Sequence, residues 1–265
     1  MKNMTGLVNS GIDVRDYKLY VSVDGIDYPS YYRWVDIPIK NQGNKPTCVP
    51  HAISELVEYH YLMETGHYQK FSTDYIYALR DEKSYKGKVG VKIRDGLRII
   101  SKYGDVLEST FSGNSYSTKD IYSKITQPEL IKMADESFKI SQYYKVETEN
   151  EMKYAVMFHG PVILSMKWYE HYHIKNGIYT YNKKNSSILH AVICVGWEKD
   201  HWILQNSYGK TWGDNKGYFK VPIKDSFENL FKEVWGATEH INEIKPTKRK
   251  CAKFLNIVLN LFNKQ

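Results

Sequence analysis

Three residues of the chain have the types and order that a nucleophilic thiol requires. Cys48 supplies the sulfur, His190 lies 142 residues downstream, and Asn206 follows sixteen residues later. The attacking species is the thiolate, so such a cysteine needs surroundings that lower its pKa. A place in the first turn of a helix helps, because the free N–H groups and the helix dipole favour negative charge, and a nearby imidazolium helps more. A histidine that alternates between base and acid needs its second ring nitrogen held. A neutral amide such as Asn206 does this without trapping the ring as a cation. Acyl chemistry also needs donors for an oxyanion. Gln42, six residues before Cys48, offers a side-chain amide, and the Cys48 backbone N–H is a second donor.

The elements that must position these groups can be read from periodicity and end signals. A helix is predicted from about Thr47, an N-cap residue, through Ile53, Leu56, Val57 and Tyr61 to Gly66, which puts Cys48 in its first turn; Pro50 is tolerated there. Further helices are expected over residues 72–81, capped by Ser72, and 93–102, stopped by Gly104. From about Gly160 the pattern changes to short β-branched and aromatic runs at 162–166, 178–181, 190–195, 202–205 and 217–221. Helices first and strands second predict an α+β chain of two lobes with a cleft between them. Residues 1–40 read as mostly irregular chain with aromatic anchors, and no pattern places 113–148.

Composition narrows the function classes. A chain of 265 residues can bury a core large enough for a deep cleft. The net charge of +7 is partly concentrated at Lys245, Lys248, Arg249 and Lys250, with no recognisable nucleic-acid module elsewhere, so a nucleic-acid partner is not expected. Three cysteines, at 48, 194 and 251, cannot form an even disulfide framework. With no signal-peptide pattern at the N-terminus, they predict a cytoplasmic or other reducing compartment, with a viral or virion-associated setting open. Cys194 lies mid-strand and reads as core. His51, His60 and His67 fit no zinc spacing and read as helix-surface or interface residues, so no metal is expected.

These segments resemble the papain family of cysteine peptidases, along nearly the whole chain from about Gly11 to Val221. Gln42 through Cys48 resembles the family's oxyanion and nucleophile stretch, His190-Ala191-Val192 its histidine strand, and Asn206-Ser207 with Trp212-Gly213 its asparagine segment. Lys45-Pro46-Thr47-Cys48-Val49 stands where the family signature reads CGSCW. Thr5-Gly6, Asp13 to Tyr17, Phe71 to Arg80 and Ile93 to Gly96 are similar to bacterial and viral members. Tyr208 replaces a tryptophan that shields the Asn–His bond, and Leu189 stands where a polar residue often precedes the histidine.

The resemblance implies a papain-like two-lobe fold, one helical lobe with the cysteine helix and one β-barrel-like lobe carrying His190 and Asn206. It implies a thiol-dependent peptidase that hydrolyses peptide bonds through a Cys48 acyl-enzyme, with His190 as base and acid, an ion pair between them, and no cofactor. The substrate would be a peptide or protein. Gly90 corresponds to the edge that pairs with extended substrate backbone, and Val91, Ser165 and Ala191 to an apolar specificity pocket, with Tyr208 and Trp212 as supporting aromatics. Two alternatives stand beside this: an acyl-transferring or amidase enzyme with the same triad, and a non-cleaving peptide-binding pseudoenzyme. The expected organisation is an N-terminal arm, 1–40, on or over the cleft, a catalytic domain, 41–243, and a basic amphipathic tail, 244–265. The tail, including Cys251 to Phe262, is too short to span a membrane and is expected to contact a membrane surface, a protein partner or its own domain.

Overall fold

In the computed structural model, the described residues are 6–19, 22–23, 25–80, 89–112, 126–134, 138–214, 216–224 and 226–238. The tail expected at 244–265 lies outside them.

The central helix α1, Cys48–Thr65, begins and ends where the sequence predicts, and Gly66 closes it in the left-handed conformation at φ 76°, its N–H on the Leu62 carbonyl. The hydroxyl of Thr47 makes no cap bond, however, and is buried without a partner. Helix α1 is enclosed rather than amphipathic: every residue from Cys48 to His60 is buried. His51 and His60 are therefore interior residues and not surface ones. Only His67, beyond the helix, is exposed. Two buried acids of α1 also need partners. Glu58 takes Lys40 at 2.6 Å and the Phe71 N–H at 3.0 Å.

Helices α2, Thr73–Ala78, and α3, Ile93–Tyr103, pack on α1. The Ser72 hydroxyl caps α2 by accepting the Tyr75 N–H, and Gly104 ends α3. Helix α4, Gln127–Met133, and helix α5, Glu149–Tyr154, each start at a threonine capping box. A π turn over Ala155–His159 continues α5.

Among the described residues, nine strands form one sheet: β1 Tyr31–Arg33, β2 Gln142–Lys145, β3 Val162–Tyr169, β4 His173–Lys175, β5 Ile178–Thr180, β6 Ser187–Glu198, β7 His201–Gln205, β8 Tyr218–Pro222 and β9 Phe231–Thr238. Their order is β2-β9-β3-β6-β7-β8-β5-β4, with β1 on β6, and every pairing but β5 with β8 is antiparallel. Alternation along β6 divides the interior into two packed regions. Ala191, Ile193 and Val195 join the core around α1, while Val192 and Cys194 join Leu164, Met166, Trp202, Leu204 and Phe219 on the other face. Cys194 is core, as its mid-strand place predicts. The helical layer and the sheet are the two lobes expected of the chain.

Candidate functional site: a thiol facing a histidine–asparagine pair

Cys48 is fully buried at the start of α1, where the helix meets β6. Its Sγ accepts the Gly6 N–H at 3.2 Å. Backbone hydrogen bonds from Ala191, Val49 and Cys48 itself also favour the thiolate. Burial outweighs them and pushes the thiol up to about 11.

His190 immediately precedes Ala191 on β6. Its Nε2 lies 2.9 Å from Asn206 Oδ1. That oxygen also accepts the Ser207 N–H at 2.8 Å, and as an acceptor it assigns the ring proton to Nε2. Nδ1, buried with no hydrogen-bond partner, then carries the lone pair. Burial pushes His190 down to about 4 against the opposing effect of the Asn206 bond. Burial disfavours both charges of the ion pair expected from sequence, while the backbone donors at the sulfur and the Asn206 bond at the ring oppose that effect.

Aromatic rings fix the imidazole plane. Tyr208 stacks on it with centroids 4.9 Å apart, and Trp168 meets it edge-on at 4.8 Å. Trp212 supports both, at 5.7 Å from Tyr208 and 5.9 Å from Trp168. Tyr208 thus covers one face of the imidazole. Trp168 was not legible, since a tryptophan in an apolar strand looks like any core residue.

Gln42 is buried beside the same segment. Its Oε1 accepts the Ser207 hydroxyl at 2.6 Å, its N–H donates to the Ser207 carbonyl at 2.8 Å, and its Nε2 donates to the Lys45 carbonyl at 3.0 Å. With Oε1 anchored, the amide face is set and one Nε2 hydrogen stays available. Ser207 stood in the sequence only as part of the asparagine segment, and its bond to Gln42 was not legible there.

Two of the four residues expected to meet substrate, Gly90 and Val91, lie against a segment of the chain itself. Val91 donates its N–H to the Gly6 carbonyl at 2.7 Å and accepts the Val8 N–H at 3.1 Å, which makes a parallel bridge between Leu7 and Val91. Contact is too close for side chains at two points. A Cβ on Gly90, whose φ is +107°, would lie 2.3 Å from the Gly6 oxygen, and one on Gly6 would lie 1.7 Å from the Pro46 oxygen. Ser165 and Ala191 are buried opposite one another across β3 and β6. No group of three or more His, Cys, Asp or Glu among the described residues has metal-binding geometry.

A buried thiol at a helix start, set against a strand-borne His–Asn pair with an anchored glutamine amide, defines the class of thiol-nucleophile sites on a two-lobe fold. Comparison with known proteins agrees. The Papain family cysteine protease domain matches residues 28–233, and the chain belongs to that family. It is 32% identical over 162 residues to cathepsin B-like cysteine proteinase 3 of Caenorhabditis elegans, covering 52% of this chain and 43% of that protein. It is also 32% identical over 85 residues to the viral cathepsin of Cydia pomonella granulosis virus, covering 31% and 25%. The chain thus spans less than half the length of these curated relatives. Among solved structures, xylellain, a cysteine protease from Xylella fastidiosa, superposes with a TM-score of 0.76 at 20% identity, covering 91% of this chain and 97% of that one.

Proposed function

We propose that the chain is a thiol-dependent peptidase that hydrolyses peptide bonds through a Cys48 acyl-enzyme. The observation that carries this is the tautomer of His190: Asn206 holds Nε2, and Nδ1 is left as a buried free base on the strand that faces the thiol. His190 takes the Cys48 proton as Sγ attacks the substrate carbonyl. Gln42 Nε2 and the Cys48 N–H receive the oxyanion, and His190 returns the proton to the leaving amine. Water, deprotonated by the same nitrogen, then splits the thioester and frees the thiol. Membership of the family supports this sequence of steps. The edge at Gly90 and Val91 suits extended backbone, and Val91, Ser165 and Ala191 suit an apolar side chain.

The N-terminal arm acts as a cover. Gly6 to Val8 occupies the Gly90–Val91 edge and seals the thiol. Arg94 fastens the arm behind this point, with Nε and Nη2 each 2.6 Å from the Asp16 carboxylate and Nη1 and Nη2 on the carbonyls of Ser10 and Gly11. Lys145 reaches the same carboxylate at 3.2 Å.

The test is labelling with an epoxide or vinyl-sulfone thiol reagent, with peptide cleavage assayed in parallel. The proteins are the full chain, a chain lacking residues 1–10, and Cys48→Ala in each background. Fast labelling of Cys48 and cleavage are expected after arm removal, with both lost in the alanine variant. A shortened, folded protein whose Cys48 reacts no faster than Cys194 and which cuts no peptide refutes the peptidase reading.

A further inference from the structure

Asn206 sits at the end of β7, and a residue there has few constraints of its own. Its backbone N–H bonds the Gly217 carbonyl at 2.9 Å, and its side chain is spent on His190 and the Ser207 N–H. Its two chain neighbours are each tied across to the cysteine's lobe. Ser207 bonds Gln42, as above. On the other side, Gln205 Oε1 accepts the Tyr59 hydroxyl at 2.9 Å, with both residues buried.

Tyr59 belongs to the same helix as the nucleophile. It lies eleven residues after Cys48, close to three turns at 3.6 residues per turn, so the two residues share a helix face. Along β7 the side-chain alternation sends Gln205 toward α1 and Asn206 toward His190. One rigid helix thereby holds the sulfur at its start and, three turns on, grips the residue beside the base-orienting amide.

The surroundings of this tie are built for polarity and not for packing alone. Glu55, one turn before Tyr59, interacts with the Gln205 side chain, and the Tyr218 hydroxyl with that of Tyr59, so the tie sits in a cluster of buried polar groups. Tyr218 is directly opposite Gln205 across β7 and β8. An apolar pair at 59 and 205 would fill the same space at lower desolvation cost. The polar pair supplies direction that apolar packing does not.

We propose that Tyr59 and Gln205 are a positioning pair, which sets Asn206, and through it His190, relative to Cys48. The proposal rests on the peptidase reading for its kinetic readout but not for its spectroscopic one. Loosening Asn206 removes the bond that raises the His190 pKa, so the acid limb of the rate profile should move to lower pH. Groups facing His190 are Asn206, Tyr208 and Trp168, with the Cys48 sulfur held by the neighbouring Ala191.

The experiment uses Tyr59→Phe, which keeps the ring, and Gln205→Met, each alone and the two combined, in the chain freed of its cover. Ser54→Ala, which removes a different buried hydroxyl bond of α1, made to the Phe71 carbonyl, is the control. Tyr59→Phe is expected to lower kcat about tenfold with KM unchanged, the scale of one neutral hydrogen bond. The double variant should be no worse than the worse single one. Nitrogen-15 shifts of His190 should show the Nε2–H tautomer giving way to a mixture in Tyr59→Phe and not in Ser54→Ala. If Tyr59→Phe keeps the wild-type kcat, acid limb and tautomer while only its melting temperature falls, the tie is structural and the proposal fails. If the parent protein is inactive, the peptidase reading fails, and the tautomer measurement still decides the positioning role.

Discussion

Substituting Gly6 by alanine tests whether the arm is what silences the thiol. The added methyl carbon would lie 1.7 Å from the Pro46 oxygen and 2.7 Å from the Thr47 nitrogen, both rigid backbone atoms next to Cys48, so the arm must leave its track. With the arm seated, the thiol sits at about 11, which at pH 7 leaves on the order of one molecule in ten thousand as thiolate. Released to water, even an unassisted cysteine near ~8.5 would be about 3% thiolate, roughly a 300-fold gain. A lower pKa also makes a weaker nucleophile, by a Brønsted slope of ~0.4–0.5, which reduces the gain to roughly 25-fold. Any approach of His190 toward an ion pair adds to this. The assay is the rate of reaction with dipyridyl disulfide at pH 7, read by absorbance, with circular dichroism confirming that the variant is folded. A folded Gly6→Ala protein that reacts at the wild-type rate would show that the arm does not control the thiol, and the cover would have to be abandoned.

Three further outcomes are expected. Arg94→Ala removes the bidentate hold on Asp16 and should speed thiol labelling severalfold, with the wild-type protein moving in the same direction, less far, as salt is raised. Ser207→Ala unties Gln42 Oε1 and should lower kcat by about tenfold with little change in KM, measured on a peptide substrate; an unchanged kcat would mean that the amide is held by Lys45 alone. The third concerns Glu55, whose carboxyl is raised from 4.5 to about 8 by burial and by neighbouring Glu58. The unfolded chain releases this proton near 4.5 and the folded chain only near 8, so its contribution to stability is present at low pH and is lost as pH rises through that window. Glu55→Gln should therefore flatten the fall in urea midpoint between pH 6.5 and 8. Below pH 6.5 the depressed pKa values of His51, His60 and His190 act oppositely, costing stability as pH falls, and this limb should persist in the variant.

The parts of the structure that were legible in sequence are those governed by local rules. A glycine that needs positive φ ends α1, a serine hydroxyl caps α2, and the β-branched run after His190 forms β6. Residue types and their order were enough to nominate Cys48, His190, Asn206 and Gln42, of which the structure joins His190 to Asn206 directly and Gln42 to the neighbouring Ser207. What stayed hidden depends on partners far along the chain. Strand β2 has the sequence Gln-Tyr-Tyr-Lys, with no periodicity of its own, and exists because it pairs with β9. The three-residue β1 exists because β6 is long enough to carry it. His51 and His60 look like surface residues until α1 is found enclosed on all sides. Thr47 illustrates the reverse: a good cap residue in the right place makes no cap bond. Nothing local indicates that residue 6 will lie on the sulfur of residue 48.

The order of these pieces along the chain governs what happens during synthesis. Cys48 leaves the ribosome 142 residues ahead of His190, an interval of roughly 7–28 s at ~5–20 residues per second. Throughout that time the nucleophile's helix has no base to face and the thiol no histidine to activate it. The segment that covers the sulfur has been made before the sulfur itself. On the proposed reading, by the time β6 and β7 dock and bring His190 and Asn206 to Cys48, the covering segment is already in reach, so a nascent chain need never present an armed thiol to its neighbours.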